Sequence, residues 1–144
     1  MTMMTAQQYE ESLRRLNLVV YMFGKRVGNV VDDPIIRPSM NAVAKTYELA
    51  HRPEHEDIMT ATSHITGNKI NRFTHIHQSI GDLVKKSKMG RLLGRETGCC
   101  FQRCVGMDAL NALSIVTFDI DAKHGTEYHS PFVKEEAVIV FAKK

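Results

Sequence analysis

Two consecutive stretches, SIGDLVKKSKMGRLLGRETG at residues 79–98 and CFQRCVGMDALNALSIVTFDIDAKHG at residues 100–125, decide the fold that this sequence predicts. Ser79 is a suitable helix N-cap, because its hydroxyl can accept a hydrogen bond from a free backbone N–H of the first turn. Asp82 follows in that turn, where a carboxylate opposes the positive end of the helix dipole. The first stretch therefore predicts a helix that continues to Thr97.

The second stretch predicts a longer helix, from about Cys100 to Lys123, with apolar residues along one side. These residues recur at the three- and four-residue spacing of a single helix face. They are Val105, Ala109, Ala112, Leu113, Val116 and Ile120. Gly125 follows where a C-cap glycine is common, because glycine adopts the left-handed conformation without a steric penalty.

The N-terminal part of the sequence predicts shorter elements. Thr5 and Gln8 have the spacing of a capping box, which predicts a helix from about Ala6 to Leu16. The β-branched and aromatic residues within 18–31 favour a short β-hairpin. One long helix is the alternative, since the apolar positions in this region also fit a heptad.

The middle of the sequence predicts two helices and a loop. Ser39 is a candidate N-cap for a helix that ends before His51, and a short acidic helix is predicted at 54–59. A polar connection follows at 60–68. The predicted fold class is therefore mainly α.

Composition limits the class of protein. The 144 residues fit one domain, and 43% hydrophobic with 24% charged residues is typical of a globular chain. A net charge of +3 is too small for a nucleic-acid-coating protein. No stretch reaches the ~20 apolar residues of a membrane span, and the N-terminus does not resemble a signal peptide. We expect a cytoplasmic protein that binds neither nucleic acid nor membrane.

The three cysteines, Cys99, Cys100 and Cys104, form an odd and clustered set that is a poor disulfide framework. On a helix, Cys100 and Cys104 share a face, and thiolates are the usual ligands of iron–sulfur clusters. Burial in the core is the alternative, because free cysteine is among the most buried residue types. Cys99 lies about 100° around the helix from Cys100 and is assigned no role.

Two further patterns precede the cysteines. Gly90, Gly94 and Gly98 recur every four residues, which indicates either close helix packing or room for a cofactor or substrate. The basic residues nearby form either a solvated helix face or an anion site for a nucleotide-like ligand such as coenzyme A. These residues are Lys85, Lys86, Lys88, Arg91 and Arg95.

His75 and His77 would project to one side of an extended segment, as a metal-binding pair does. No Glu or Cys lies nearby in the sequence to complete a ligand set. A metal site is therefore the less favoured interpretation of this pair.

Several segments resemble the N-terminal part of the 4-hydroxybutyryl-CoA dehydratases. They are residues 4–17, 20–24, 36–39, 70–73, 91–94 and 100–109. These enzymes belong with the flavin-dependent 4-hydroxyphenylacetate 3-monooxygenases and have an acyl-CoA-dehydrogenase-like fold. The resemblance implies an N-terminal helical domain over residues 1–132, followed by a divergent tail at 133–144.

The resemblance also implies an activity and two cofactors. Such enzymes dehydrate 4-hydroxybutyryl-CoA to crotonyl-CoA and isomerise vinylacetyl-CoA. They use FAD, which makes an unactivated β-proton removable, and a 4Fe-4S cluster, which acts as a Lewis acid at the departing hydroxyl. The cluster is held by three Cys and one His, and Cys100 and Cys104 match two of these ligands.

The family chain is several times longer than 144 residues. We therefore expect an N-terminal fragment that holds neither cofactor stably and is inactive alone. Two alternatives stay open at this point: a domain of a reduced-flavin monooxygenase that acts on a phenol, and a non-catalytic module that docks on a longer partner chain. Both a homo-oligomer and a complementary chain are open as partners.

Overall fold

The computed structural model describes residues 3–98 and 103–133. The helices are α1 (Ala6–Arg14), α2 (Arg37–Ala50), α3 (Glu56–Met59), α4 (Ile80–Thr97) and α5 (Arg103–His124), and residues 129–133 are also helical. The strands are β1 (Tyr21–Met22), β2 (Lys25–Arg26), β3 (Thr60–Thr62) and β4 (Lys69–Asn71), and 3₁₀ turns occupy Pro53–His55 and Arg72–Thr74. The mainly α fold is confirmed. None of the described helices has the length and apolar character needed to cross a membrane.

The N-terminal helix and hairpin follow the predicted chemistry. The Thr5 N–H donates to Gln8 Oε1 at 2.9 Å, and the Gln8 N–H donates to Thr5 Oγ1 at 3.2 Å. β1 pairs with β2 around a two-residue turn in which Phe23 and Gly24 both have positive φ, at 51° and 75°. Such a turn suits the twist of a hairpin and cannot belong to a helix. The hairpin prediction is confirmed and the long-helix alternative is wrong.

α2 begins two residues before the predicted cap. Its first residue is Arg37, and Pro38 lies in the first turn, where the missing N–H costs nothing. Asp33 organises the preceding turn, because its Oδ1 accepts from the N–H groups of Ile35 and Ile36. The prediction that Ser39 caps this helix is therefore wrong.

A second hairpin occupies part of the region predicted as a polar connection. β3 pairs antiparallel with β4, with Thr60 opposite Asn71. Between the strands, Ser63 Oγ accepts from the N–H groups of Ile65 and Thr66, both at 3.2 Å. These local hydrogen bonds form the loop that returns the chain to β4.

The core is small, aliphatic and rich in methionine. α4 begins with the predicted Ser79 cap, which forms a reciprocal capping box with Asp82, and its inner face packs on α2 and α3. The buried cluster consists of Leu49, Ala50, Met59, Phe73, Met89, Leu92, Leu93 and Met107. α5 contributes only Met107 to this cluster, so the longest helix is joined to the core mainly through its first half.

Candidate functional site

The candidate site lies at the junction between α4 and α5. Gly98 ends α4 in the left-handed conformation, with φ of 67°, and its N–H donates to Gly94 O at 3.0 Å. Cys104 lies in the first described turn of α5. Cys99 and Cys100 fall outside the described residues, so the shared face of Cys100 and Cys104 stays a prediction.

α5 is fixed beside Cys104 by one buried side chain and by polar contacts. Met107 is 1% exposed and packs in the core. Asn111 Oδ1 accepts from the His77 N–H at 2.8 Å, and Asn111 Nδ2 donates to His75 O at 3.3 Å. An ion pair between Lys86 and Asp108 also links α4 to α5. The backbone of the first α5 turns is therefore held against α4 and the segment at 75–77.

The predicted basic stretch divides into paired and unpaired residues. Lys85 forms an ion pair with Asp57, and Lys86 forms one with Asp108. The remaining cations are exposed and form no ion pair with any residue that the structure describes; these are Lys88, Arg91 and Arg95. Of the five basic residues in the predicted stretch, three are therefore available to bind an anion.

The three α4 glycines face open space. A Cβ atom built at Gly90, Gly94 or Gly98 would meet no atom within 4 Å. Close packing on a neighbouring helix is thus not observed within residues 3–98 and 103–133. Arg91 and Arg95 each precede a glycine of this set by three residues, which makes them surface neighbours on a helix. The unpaired cations and the open glycine backbone together form one surface, which we call the glycine–arginine face (Gly90, Arg91, Gly94, Arg95 and Gly98).

A polar groove of about 670 Å³ lies elsewhere, between α3, the second hairpin and α4. Arg72 lines this groove, and its residue is only 2% exposed. Its guanidinium donates to Ile58 O at 2.7 Å, Asp57 O at 3.1 Å and Thr60 O at 2.5 Å. A fourth bond joins Arg72 Nη1 to Asp82 Oδ1 at 3.2 Å. Arg72 therefore closes the end of α3 and ties it to α4.

Asp82 is the second member of this polar cluster. Its Oδ2 accepts from the N–H groups of Gln78 and Ser79, and its Oδ1 lies 3.3 Å from His75 Nε2. Burial alone would raise the pKa of Asp82, but the hydrogen bonds from Gln78, Ser79 and His75 outweigh burial and hold the pKa below its ordinary value. The carboxylate stays charged and organises the start of α4.

The histidine pair, in which His75 is buried and His77 is half-buried, is incomplete as a metal site. The His75 and His77 rings lie 6.2 Å apart between centroids, and burial, then Lys86, lowers the pKa of His77. His75 Nδ1 and His77 Nε2 are buried without a hydrogen-bond partner among the described residues. Across 3–98 and 103–133, no three His, Cys, Asp or Glu side chains are placed to hold a metal ion.

Two residues that organise this region were not singled out by sequence reasoning for that role. Arg72 lies between Ile70 and Phe73, which are both buried. A charged residue so close to two apolar residues was the sequence feature that could have indicated a buried structural role. Asn111 stands within an apolar helix pattern and gave a similar signal. Neither pattern identifies the backbone groups that these side chains contact, because those groups are distant in sequence.

Comparison with known proteins gives a consistent family assignment. Residues 5–135 match the family described as 4-hydroxyphenylacetate 3-hydroxylase N terminal. The chain is 58% identical over 132 residues to the 4-hydroxybutyryl-CoA dehydratase/vinylacetyl-CoA-Delta-isomerase of Clostridium aminobutyricum, covering 92% of this chain and 27% of that protein. It is 40% identical over 72 residues to the oxygenase component of a 4-nitrophenol 2-monooxygenase from Rhodococcus sp, covering 50% of this chain and 13% of that protein.

The solved structure of an oxygen-tolerant archaeal 4-hydroxybutyryl-CoA dehydratase from N. maritimus matches with a TM-score of 0.90 and 53% identity. This match covers 97% of the chain and 28% of the solved chain. The chain thus spans only about a quarter of the length of these dehydratases. With most of its residues matched by one family model, and with this fold, the chain belongs to the 4-hydroxyphenylacetate 3-hydroxylase family, as part of its N-terminal region.

Proposed function

We propose that this chain is the N-terminal part of a 4-hydroxybutyryl-CoA dehydratase that also isomerises vinylacetyl-CoA. The observation that carries the proposal is the 58% identity over 132 residues to an enzyme of that name. The 4-nitrophenol 2-monooxygenase component is less similar, since it is 40% identical to the chain over only 50% of its residues. The dehydratase is therefore the favoured member of the family.

We further propose that Cys100 and Cys104 supply two of the four ligands of a 4Fe-4S cluster. Thiolate sulfur is the chemistry that iron–sulfur clusters use, and the C-x₃-C spacing suits one side of a helix. Support comes from the anchoring of α5, since a ligand helix must keep its position while the cluster is bound. The cluster supplies Lewis acidity when bound, and the remaining ligands come from sequence outside this chain.

The glycine–arginine face is our candidate contact for the acyl-CoA. Arg91 and Arg95 are exposed and make no ion pair within the described residues, so their charge is available to phosphate groups. The neighbouring glycines allow a ligand to approach the helix backbone, because no side chain stands in the way. FAD, the other cofactor that the family implies, has no residues assigned to it here.

The incomplete ligand set predicts that the isolated chain is inactive. Anaerobic purification with added iron and sulfide, followed by iron, sulfide and flavin analysis, tests this. We expect less than one cluster and no stoichiometric FAD per chain, and no crotonyl-CoA. A stable cubane with FAD and turnover from these 144 residues would contradict the proposal.

The ligand assignment needs a longer protein. In a chimera, this chain replaces the 132 matching residues of the Clostridium aminobutyricum enzyme. We expect Cys100→Ala and Cys104→Ala each to lower the iron content, while Cys99→Ala, the matched control, keeps it. If Cys100→Ala and Cys104→Ala retain full iron and activity, the ligand assignment is wrong and a monooxygenase-type site without a cluster gains support.

A further inference from the structure

Asn111 is the side chain that joins α5 to the backbone of the segment at 75–77. Its Oδ1 accepts from the His77 N–H at 2.8 Å, and its Nδ2 donates to His75 O at 3.3 Å. A second donation from Nδ2, to Met107 O at 2.9 Å, ties the amide to the preceding turn of α5. Both donor hydrogens of the amide are therefore used, and the side chain is held in one orientation.

The segment at 75–77 is a firm support for this amide. Ile76 is only 6% exposed. His75 Nε2 lies 3.3 Å from Asp82 Oδ1, and Asp82 Oδ2 accepts from the Gln78 N–H at 3.0 Å. Since Asp82 lies in the first turn of α4, these contacts fasten the segment to that helix. The amide therefore links α5 to a support that is itself fixed on α4.

Helix geometry places position 104 on the side of α5 that this amide holds. An α-helix turns about 100° per residue, so Asn111, seven residues after Cys104, lies only about 20° around the helix from it. Met107 and Ser114, which are 1% and 7% exposed, lie within about 80° on the same side. Leu113, which is 51% exposed, lies on the opposite side. Position 104 is therefore on the inward side of the helix, two turns before the amide.

The other contacts of this half of α5 constrain its rotation less closely. Lys86 and Asp108 form an ion pair, but the Asp108 side chain is 56% exposed, and such pairs contribute less than about 1 kcal/mol. Met107 is buried in the core, where apolar burial has no preferred direction. Hydrogen bonds are directional, so the amide is the contact that fixes both the height and the rotation of the helix.

We propose that Asn111 is a positioning residue for the cluster ligand at Cys104. This inference rests on the proposed function, since it takes Cys104 as a ligand. A ligand must be held within about 0.5 Å of its productive position, and groups that orient a ligand from outside the ligand set contribute about ten- to a hundredfold to metal affinity. The amide acts through the helix backbone, because Cys104 lies two turns away.

The test uses the chimera with the Clostridium aminobutyricum remainder, purified anaerobically. Asn111→Leu removes all three hydrogen bonds at nearly constant volume, whereas Asn111→Asp keeps the acceptor for the His77 N–H and loses both donors. Asn41→Leu is the matched control, because Asn41 is exposed on α2. Two properties are measured on the folded, cluster-loaded fraction of each protein: the rate of iron loss to a chelator, and the circular dichroism of the cluster in the visible region.

We expect Asn111→Leu to lose iron about tenfold faster or more, and to change the visible bands, because the ligand helix can then shift and rotate. Asn111→Asp should also lose iron faster, since two backbone carbonyls are left without their donor. Asn41→Leu should match the unsubstituted chimera in both measurements.

These measurements separate positioning from a purely structural role. A structural role would lower the yield of folded chimera but leave the iron loss and the visible bands of the loaded fraction unchanged, and that result would overturn the proposal. Failure of both Asn111 variants to fold, or equal acceleration by Asn41→Leu, would overturn it as well. An unsubstituted chimera that folds without a cluster would refute the ligand assignment at Cys104, whereas unchanged iron loss from the loaded Asn111→Leu chimera would refute only the role of Asn111.

Discussion

Arg72 shows how one residue can hold several elements in place. Its guanidinium contacts three backbone carbonyls around the end of α3 and one carboxylate at the start of α4. A cation at a helix C-terminus is favourable because the free carbonyls there carry partial negative charge. Burial of this charge is tolerated because every side of the guanidinium has an acceptor.

We therefore expect Arg72→Met to be strongly destabilising. The substitution keeps an apolar stem but leaves Asp82 and the three carbonyls without their donor, which costs about 3–5 kcal/mol. Urea unfolding followed by circular dichroism measures the change. Arg91→Met is the matched control, since Arg91 is exposed without an ion pair among the described residues, and it should cost less than about 0.5 kcal/mol. Equal losses for both variants would contradict the role assigned to Arg72.

A pH dependence follows from His77. Its pKa is lowered in the fold by burial, then by Lys86 and His75, so the folded chain binds this proton less readily than the unfolded chain does. The contribution of neutral His77 is fully present above the ordinary pKa of about 6.5 and is lost as the pH falls through that value toward the folded pKa. We expect the free energy of unfolding to fall between pH 7.5 and 5.5, by at most about 1.4 kcal/mol per pH unit for one proton.

The same urea titrations at several pH values test this dependence. His77→Gln should flatten the pH profile over that interval. His124→Gln, at the exposed end of α5, should leave the profile as it is. A variant at His77 that keeps the full slope would show that another group carries the dependence; His64, whose pKa is lowered by burial and by His75 and His129, is the next candidate.

At the scale of elements, the glycines of α4 allow a paired prediction. Gly94 lies inside the helix with open space around a Cβ, so Gly94→Ala should stabilise the isolated chain by about 0.5–1 kcal/mol through the entropy of the unfolded state. Gly98 has φ of 67°, and an alanine there is strained by about 1 kcal/mol or more. Thermal unfolding should therefore move in opposite directions for the two variants, and a shift of the same sign in both would contradict the cap assignment.

Elements with local causes were predictable, and elements with distant causes were not. The capping box at Thr5, the N-cap at Ser79 and the glycine after α5 act within a few residues, and all three are observed. The start of α2 was missed because Asp33, rather than Ser39, organises the preceding turn. β3 and β4 were missed because three-residue strands carry too few positions for a period to be read.

The same limit applies to the candidate site and to the last helix. The C-x₃-C pair was found from spacing and from a family resemblance, and its ligand role stays a prediction. Periodicity found the apolar face of α5 but gave no information on what that face contacts. Only the folded arrangement, in which Met107 and Ser114 are buried, shows that Val105, Leu113 and Val116 are left exposed.

For the whole molecule, the uneven core predicts an uneven distribution of local stability. The buried cluster joins α2, α3 and α4 with only Met107 from α5, while the first hairpin and α1 contain no buried residue. Regions with few buried contacts open without global unfolding, so their amides exchange fastest with solvent. In the isolated chain, we expect slow exchange around Leu49, Met89 and Leu93, and fast exchange in β1 and β2.

α5 should divide into two halves under the same measurement. Its first half is held by Met107 and by the Asn111 hydrogen bonds, whereas the half beyond Val116 has no buried residue and, outside the helix itself, makes hydrogen bonds only to the short segment that follows it, at Thr126, Tyr128 and His129, among the described residues. Hydrogen exchange read by mass spectrometry should therefore show the second half opening earlier in the isolated chain. Uniform protection of α5 in the isolated chain would contradict this division.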